Sequence, residues 1–275
     1  MQSRSVASVG DSARATVSER DYLPVTSPLL LRWFTAYSQR YLRRHFHSLR
    51  VSRAALPPTD GEAPLVIFSN HASWWDPLMW LALKAEFFPA HRSFSPIDAG
   101  ALTRYKLLGR LGFFGVEKKS TRGAIQFLRT AESILQKPGH ILALTPQGRF
   151  ADARERPVGF ETGLGHLAAR VGGAIFVPMA SEFVFWEERL PEILVRFGEP
   201  IATNEERAAE DWTALFESKL EATQDELATE AQRRNPGDFQ IVLRGRAGQG
   251  GIYDWYRTAK AKLRGEKFVR DHGDK

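Results

Sequence analysis

The chain has 275 residues, of which 43% are apolar and 25% charged. That is enough to bury the core of one large α/β domain or two small ones, and it excludes a disordered or fibrous protein. There is no cysteine, so disulfides and thiolate metal sites are ruled out, as suits a reducing compartment. The net charge of +6 is unevenly spread: residues 1–53 carry nine Lys/Arg against three Asp/Glu, residues 239–275 nine against four, and residues 54–238 twenty against twenty-five. Basic ends suit an anionic membrane surface or a nucleic acid, and the plain alternative is a pair of solvated tails.

Residues 1–21 are rich in Ser, Ala and Arg, lack the apolar stretch of a signal peptide, and are expected to be disordered. From Leu29 to Phe46, Leu30, Trp33, Phe34, Tyr37, Tyr41 and Leu42 recur at helical spacing among Arg32, Arg40, Arg43 and Arg44. Aromatic rings beside arginines suit the boundary between lipid head groups and acyl chains, and the same pattern also fits a helix packed on a core with its arginines in water. No stretch approaches the ~20 apolar residues of a spanning helix, so a peripheral protein on the cytoplasmic face of a membrane is expected. Pro57, Pro58 and Gly61 mark a linker over residues 51–63.

Alternation then begins. Strands are expected at Pro64–Ser69, Arg92–Ser95, Phe113–Glu117, His140–Thr145, Ala174–Met179 and Ile193–Phe197. Helices are expected at Asp76–Lys84, with Asp76 as N-cap and Pro77 in the first turn, and at Gly100–Leu111, Thr121–Gln136, Thr162–Val171 and Glu205–Arg234. This order predicts an α/β fold: a central, mostly parallel sheet flanked by helices, with an N-terminal amphipathic interfacial helix. The division expected is a tail plus amphipathic helix over 1–53, one enzymatic domain over 54–238, and a basic extension over 239–275. The extension contains Gly245, Gly248, Gly250 and Gly251, then Tyr253-Asp254-Trp255-Tyr256 and a helix-like stretch to Arg270.

The chemistry points to Asn70-His71-Ala72-Ser73-Trp74-Trp75-Asp76, where a buried strand ends and a helix begins. Ligands in open α/β sheets bind at such strand ends. A neutral imidazole is a good base near pH 7, and a carboxylate across a four-residue gap at a turn can reach back to fix its tautomer and stabilise the imidazolium. The plain alternative is that Asp76 only caps a helix and His71 only a loop. This run resembles the NH-x4-D block of the PlsC-like glycerolipid acyltransferases, the lysophosphatidic acid and lysophospholipid acyltransferase family. Gly112-Phe113-Phe114-Gly115-Val116-Glu117-Lys118, Thr145-Pro146-Gln147-Gly148-Arg149 and Val177-Pro178-Met179 resemble the family's second, third and fourth blocks, in order.

The resemblance implies His71 as general base with Asp76 as its partner. It implies an acyl thioester of coenzyme A or acyl carrier protein as donor and a lipid hydroxyl as acceptor. Asn70, Ser73, Lys118, Pro146, Gln147, Gly148 and Arg149 would surround the substrates. It implies no metal and no permanently bound cofactor. The absence of cysteine agrees, because a thioester leaves readily without a cysteinyl intermediate. This sequence departs from the family where Gln147 stands for Glu, Arg149 for Thr, Phe150 for Arg, Lys118 for Arg and Glu161 for Lys. Lys lacks the planar fork with which Arg holds phosphate. These departures, with an acid near the head group, point to an acceptor other than simple glycerol phosphate, such as a glycosylated lipid, with Arg149, Arg154 and Arg156 available to compensate.

Other readings fall away. Gly163-Leu164-Gly165-His166-Leu167-Ala168 fits a dinucleotide fingerprint on paper, but Pro157 and Gly159 deny it a preceding strand. No G-x-S-x-G elbow is present, and Ser73 as nucleophile lacks a separate base. His140 and His166 are isolated. The basic residues form no nucleic-acid recognition motif. A non-catalytic lipid-binding module on the same scaffold is the rival of another class.

Overall fold

The computed structural model describes residues 23–59 and 63–247. The expectations for residues 1–21, and for the aromatic and basic stretch beyond residue 247, lie outside them. Helix α1 (Pro28–His45) is followed by β1 (Ser48–Ser52), β2 (Leu65–Ser69), α2 (Asp76–Phe87), β3 (Arg92–Asp98), α3 (Ala99–Arg104), a 3₁₀ helix (Lys106–Leu111) and β4 (Phe113–Val116). Then come α4 (Thr121–Leu135), β5 (His140–Leu144), α5 (Gly163–Ala168), β6 (Ile175–Val184), β7 (Glu192–Phe197), β8 (Ile201–Ala202), α6 (Ala209–Arg233) and β9 (Phe239–Arg244).

The strands form one sheet in the order β4-β3-β5-β2-β6-β7-β1-β9, with β8 paired to β6. The pairs β3–β4, β3–β5, β2–β5, β2–β6 and β1–β7 are parallel; β6–β7, β6–β8 and β1–β9 are antiparallel. The architecture is thus the expected mixed α/β layering. Strand β2 sits centrally because it is apolar on both faces. Leu65 and Ile67 pack with Met79, Leu83 and Leu42 of α2 and α1, while Val66 and Phe68 pack with Phe127, Leu164 and Phe216 of α4, α5 and α6. The period of two in a strand divides one apolar run between two cores.

Several expectations are corrected. Strands β1 and β9 were not anticipated, and both join the central sheet, so the expected divisions at 53/54 and 238/239 run through it. In β1 the charge of Arg50 belongs to a buried cluster: its Nε donates to Glu192 Oε2 at 3.1 Å, and the Ser48 hydroxyl donates to the same oxygen. The single helix expected over Gly100–Leu111 is α3 followed by the 3₁₀ turn, broken at Tyr105. Strand β6 continues past Pro178 to Val184. The proline falls between the residues paired to β8 (Ile175, Phe176) and those paired to β7 (from Met179), where its missing N–H interrupts neither antiparallel ladder.

Helix α1 opens with Pro28 and ends with Arg43, Arg44 and His45, as its dipole favours. One side packs on the core through Leu42, Phe34 and Tyr41. Leu29, Trp33 and Tyr37, at i, i+4 and i+8, face outward, and stacked rings lead from Trp33 to Tyr37 to Tyr41 with centroids 5.9 and 5.8 Å apart.

Candidate active site

Strand β2 delivers Asn70 and His71 to the carboxyl end of the sheet, and a short turn leads into α2. Asn70 is buried and ties this end to β6: its Nδ2 donates to the Ser181 carbonyl at 3.0 Å and its Oδ1 accepts from the Ser181 N–H at 2.9 Å. The reciprocal pair holds β2 beside β6 where their ladder ends.

Asp76 is the first residue of α2, and its N-cap is Trp75, which makes no side-chain cap. The sequence expectation of Asp76 as N-cap is therefore corrected. Its carboxylate turns back across the turn instead, where Oδ2 accepts from the Ser73 N–H at 3.1 Å and lies 2.7 Å from His71 Nδ1. A carboxylate only accepts at neutral pH, so Nδ1 carries the hydrogen and Nε2, on the far side of the ring, carries the lone pair. The Asp76 side chain is 8% exposed and that of His71 22%: the carboxylate is sheltered and the imidazole is partly open to solvent. Asp76 Oδ1 is buried without a hydrogen-bond partner among the described residues. The Ser73 hydroxyl accepts from the Trp75 N–H at 3.3 Å, so it serves the turn.

The loop after β5 closes over the histidine. Gln147 is 5% exposed; its Oε1 accepts from the His71 N–H at 2.9 Å and its Nε2 donates to the Val158 carbonyl at 3.0 Å. The Ala151 N–H donates to the His71 carbonyl at 2.9 Å. The Phe150 ring lies on the imidazole, with centroids 4.2 Å apart at 33°. Gly148 takes φ +64°, left-handed backbone that favours glycine. Lys118 Nζ donates to the Gly148 carbonyl at 2.9 Å, and the Pro146 carbonyl accepts from the Glu161 N–H at 2.9 Å.

The basic residues expected to compensate for an acid near the head group are each paired with a carboxylate, two within this loop and one on α6. Arg149 bonds both oxygens of Glu155, Arg154 pairs with Asp152 at 2.8 Å, and Arg156 pairs with Asp225 at 2.6 Å. The hydrogen bonds from Arg149 and Arg154 hold the carboxyls of Glu155 and Asp152 below the usual range. Burial pushes the Glu182 carboxyl up, and Arg154 and Arg156 partly oppose it. On the other side of the turn, Trp74 is exposed and stacks on Trp75 with centroids 4.5 Å apart; Trp75 packs edge-on against Phe46 at 4.9 Å. Tyr41 of α1 lies 6.4 Å from Trp74, so the aromatic row of α1 reaches the histidine turn.

Sequence reasoning named Asn70, Ser73, Lys118, Pro146, Gln147, Gly148 and Arg149 as substrate contacts; Asn70 and Ser73 flank His71 in the chain, Gln147 bonds its N–H, Lys118 bonds the Gly148 carbonyl, Pro146 accepts from the Glu161 N–H and Arg149 pairs with Glu155. It missed that Asn70, Gln147 and Arg149 are engaged by Ser181, Val158 and Glu155, and that Phe150 covers the imidazole. The one signal for Phe150 was its place directly after the third block. Among the described residues, no group of three or more His, Asp or Glu side chains could hold a metal ion.

A family model described as Acyltransferase matches residues 37–182, a span of more than half the chain that contains all four blocks. The chain belongs to the acyltransferase family. Among solved structures, this acyltransferase is similar to the 1-acyl-sn-glycerophosphate (LPA) acyltransferase PlsC from Thermotoga maritima. The two are 15% identical, with 72% of this chain and 79% of that chain covered at a TM-score of 0.49. No curated protein matches the acyltransferase.

Proposed function

We propose that this acyltransferase moves a fatty acyl group from an acyl thioester, of coenzyme A or acyl carrier protein, to a hydroxyl of a lipid acceptor such as 1-acylglycerol-3-phosphate or another lysophospholipid. The observation that carries the reading is the 2.7 Å contact between His71 Nδ1 and Asp76. It supports an imidazole whose Nε2 lone pair takes the hydroxyl proton while the acceptor oxygen attacks the thioester carbonyl. The tetrahedral oxyanion then collapses, the C–S bond breaks, and the imidazolium returns its proton to the departing thiolate. The products are the ester and the free thiol. Asp76 stays ionised throughout and stabilises the imidazolium.

The reaction takes place at a membrane surface on this reading, with the enzyme lying on its cytoplasmic face. The outward Leu29, Trp33 and Tyr37 support it, as do the exposed Arg32, Arg40, Arg43 and Arg44 on the same helix. Among the described residues no helix is long and apolar enough to cross a membrane. A second reading, with a glycosylated or otherwise non-phosphate acceptor, is favoured by one observation. An exposed phenylalanine ring, and no unengaged guanidinium, stands against His71, because Arg149 is paired with Glu155.

Purified enzyme incubated with palmitoyl-coenzyme A and a panel of lyso-acceptors, with products identified by mass spectrometry, tests both readings. Esterified product together with released thiol is expected. Strong preference for lysophosphatidic acid would remove the second reading, and no thioester consumption with any acceptor would remove the first.

A further inference from the structure

The third-block loop reaches His71 at three points: Gln147 at its N–H, Ala151 at its carbonyl and Phe150 at its ring. The Gln147 side chain takes the His71 N–H on Oε1, and its Nε2 donates to Val158, eleven residues further along the loop. The Val158 N–H is in turn held by Glu221 of α6 at 2.9 Å, so the amide links the end of β2 through the loop to the helix layer. At 5% exposure, Gln147 offers its remaining capacity to no head group. We infer that Gln147 is a positioning residue: it fixes the His71 backbone so that the imidazole meets Asp76 on one side and Phe150 on the other. An amide serves here because one end must accept and the other must donate, which an ionised carboxylate cannot do.

Substituting the isosteric acid exposes this requirement. In Q147E one oxygen still accepts the His71 N–H, while the other faces the Val158 carbonyl and bonds to it only when protonated. The charged groups around that position are Lys118, bound to the Gly148 carbonyl; Glu161, beside Gly148; Glu221, on Val158; the Arg149–Glu155 pair; and the His71–Asp76 pair. The clamp in Q147E is therefore made by the protonated carboxyl and lost by the carboxylate.

The inference rests on His71 acting as general base, and two measurements separate the claims. The first is the pH dependence of kcat with palmitoyl-coenzyme A and 1-acylglycerol-3-phosphate. The kcat of Q147E is expected to fall relative to wild type as pH rises, because its carboxylate cannot donate to the Val158 carbonyl. Gln147→Ala is expected to lose about 10- to 100-fold in kcat at every pH, the scale of a sub-ångström to ångström misplacement, with acceptor KM within about twofold. Melting temperatures of both variants show that they fold. The second measurement needs no turnover: hydrogen exchange at the His71 amide is expected to accelerate at least about tenfold in Gln147→Ala, since a bonded amide is exposed. A raised acceptor KM with unchanged kcat would make Gln147 a substrate contact and overturn the inference, as would unchanged exchange at His71. A wild-type enzyme that consumes no thioester would fail the general-base reading while the exchange result still decides the role of Gln147.

Discussion

An imidazole works as a base toward a hydroxyl only if its free lone pair faces the reactant, and a ring with two similar nitrogens must be told which one that is. Asp76 does this by holding Nδ1–H at 2.7 Å. Asp76→Asn keeps the shape but removes the negative charge, and its amide N–H can turn toward Nδ1 and select the wrong tautomer. The variant is expected to lose about 10²- to 10⁴-fold in kcat with its melting temperature nearly unchanged; thiol release by the purified variant measures it, and turnover within twofold of wild type would contradict the role. The pair itself was legible, because five positions across a strand-to-helix turn bring two side chains together. The helix cap was misread, because Asp before Pro at a helix start carries the same local signature whether its carboxylate caps the helix or serves a histidine. The partner of Gln147 was not legible, since nothing in the block points to a carbonyl eleven residues away.

Strands buried on both faces, such as β2 and β5, announce themselves as short apolar runs. Strands β1 and β9 do not, because Arg50 interrupts the first and Gln240 the second, and the pairing that justifies burying Arg50 comes from Glu192, distant in sequence. The glycines of α5 show the converse: a pattern legible in the sequence whose reason lies in packing. A Cβ at Gly165 would stand 2.0 Å from the Ala209 carbonyl and 2.2 Å from the Thr213 hydroxyl, where α5 meets the start of α6. Close helix approach, and not a dinucleotide, requires the glycine. Gly165→Ala is expected to destabilise the protein by about 1–3 kcal/mol through overpacking, read as a lower denaturant midpoint at unchanged slope. A midpoint equal to wild type would show that the two helices are not in this contact.

At the scale of the molecule, the row from Trp33 through Tyr37 and Tyr41 to Trp74 joins the outward face of α1 to the turn that carries His71. On the proposed reading this face lies on the lipid, and the acceptor reaches the histidine from the bilayer side. Replacing Trp33 and Tyr37 together by Ala is expected to weaken binding to anionic vesicles about tenfold or more, since exposed aromatic rings leave water for the interface, with the remaining binding sensitive to salt. Vesicle sedimentation measures it, and unchanged binding would confine α1 to packing. The proposed chemistry rests on the His71 imidazole, and the most direct measurement is a single turnover of labelled acyl thioester with acceptor, comparing wild type with His71→Ala at matched thermal stability. Labelled ester is expected from wild type and none above the uncatalysed rate from the variant; ester formed by His71→Ala at a rate near wild type would contradict the mechanism.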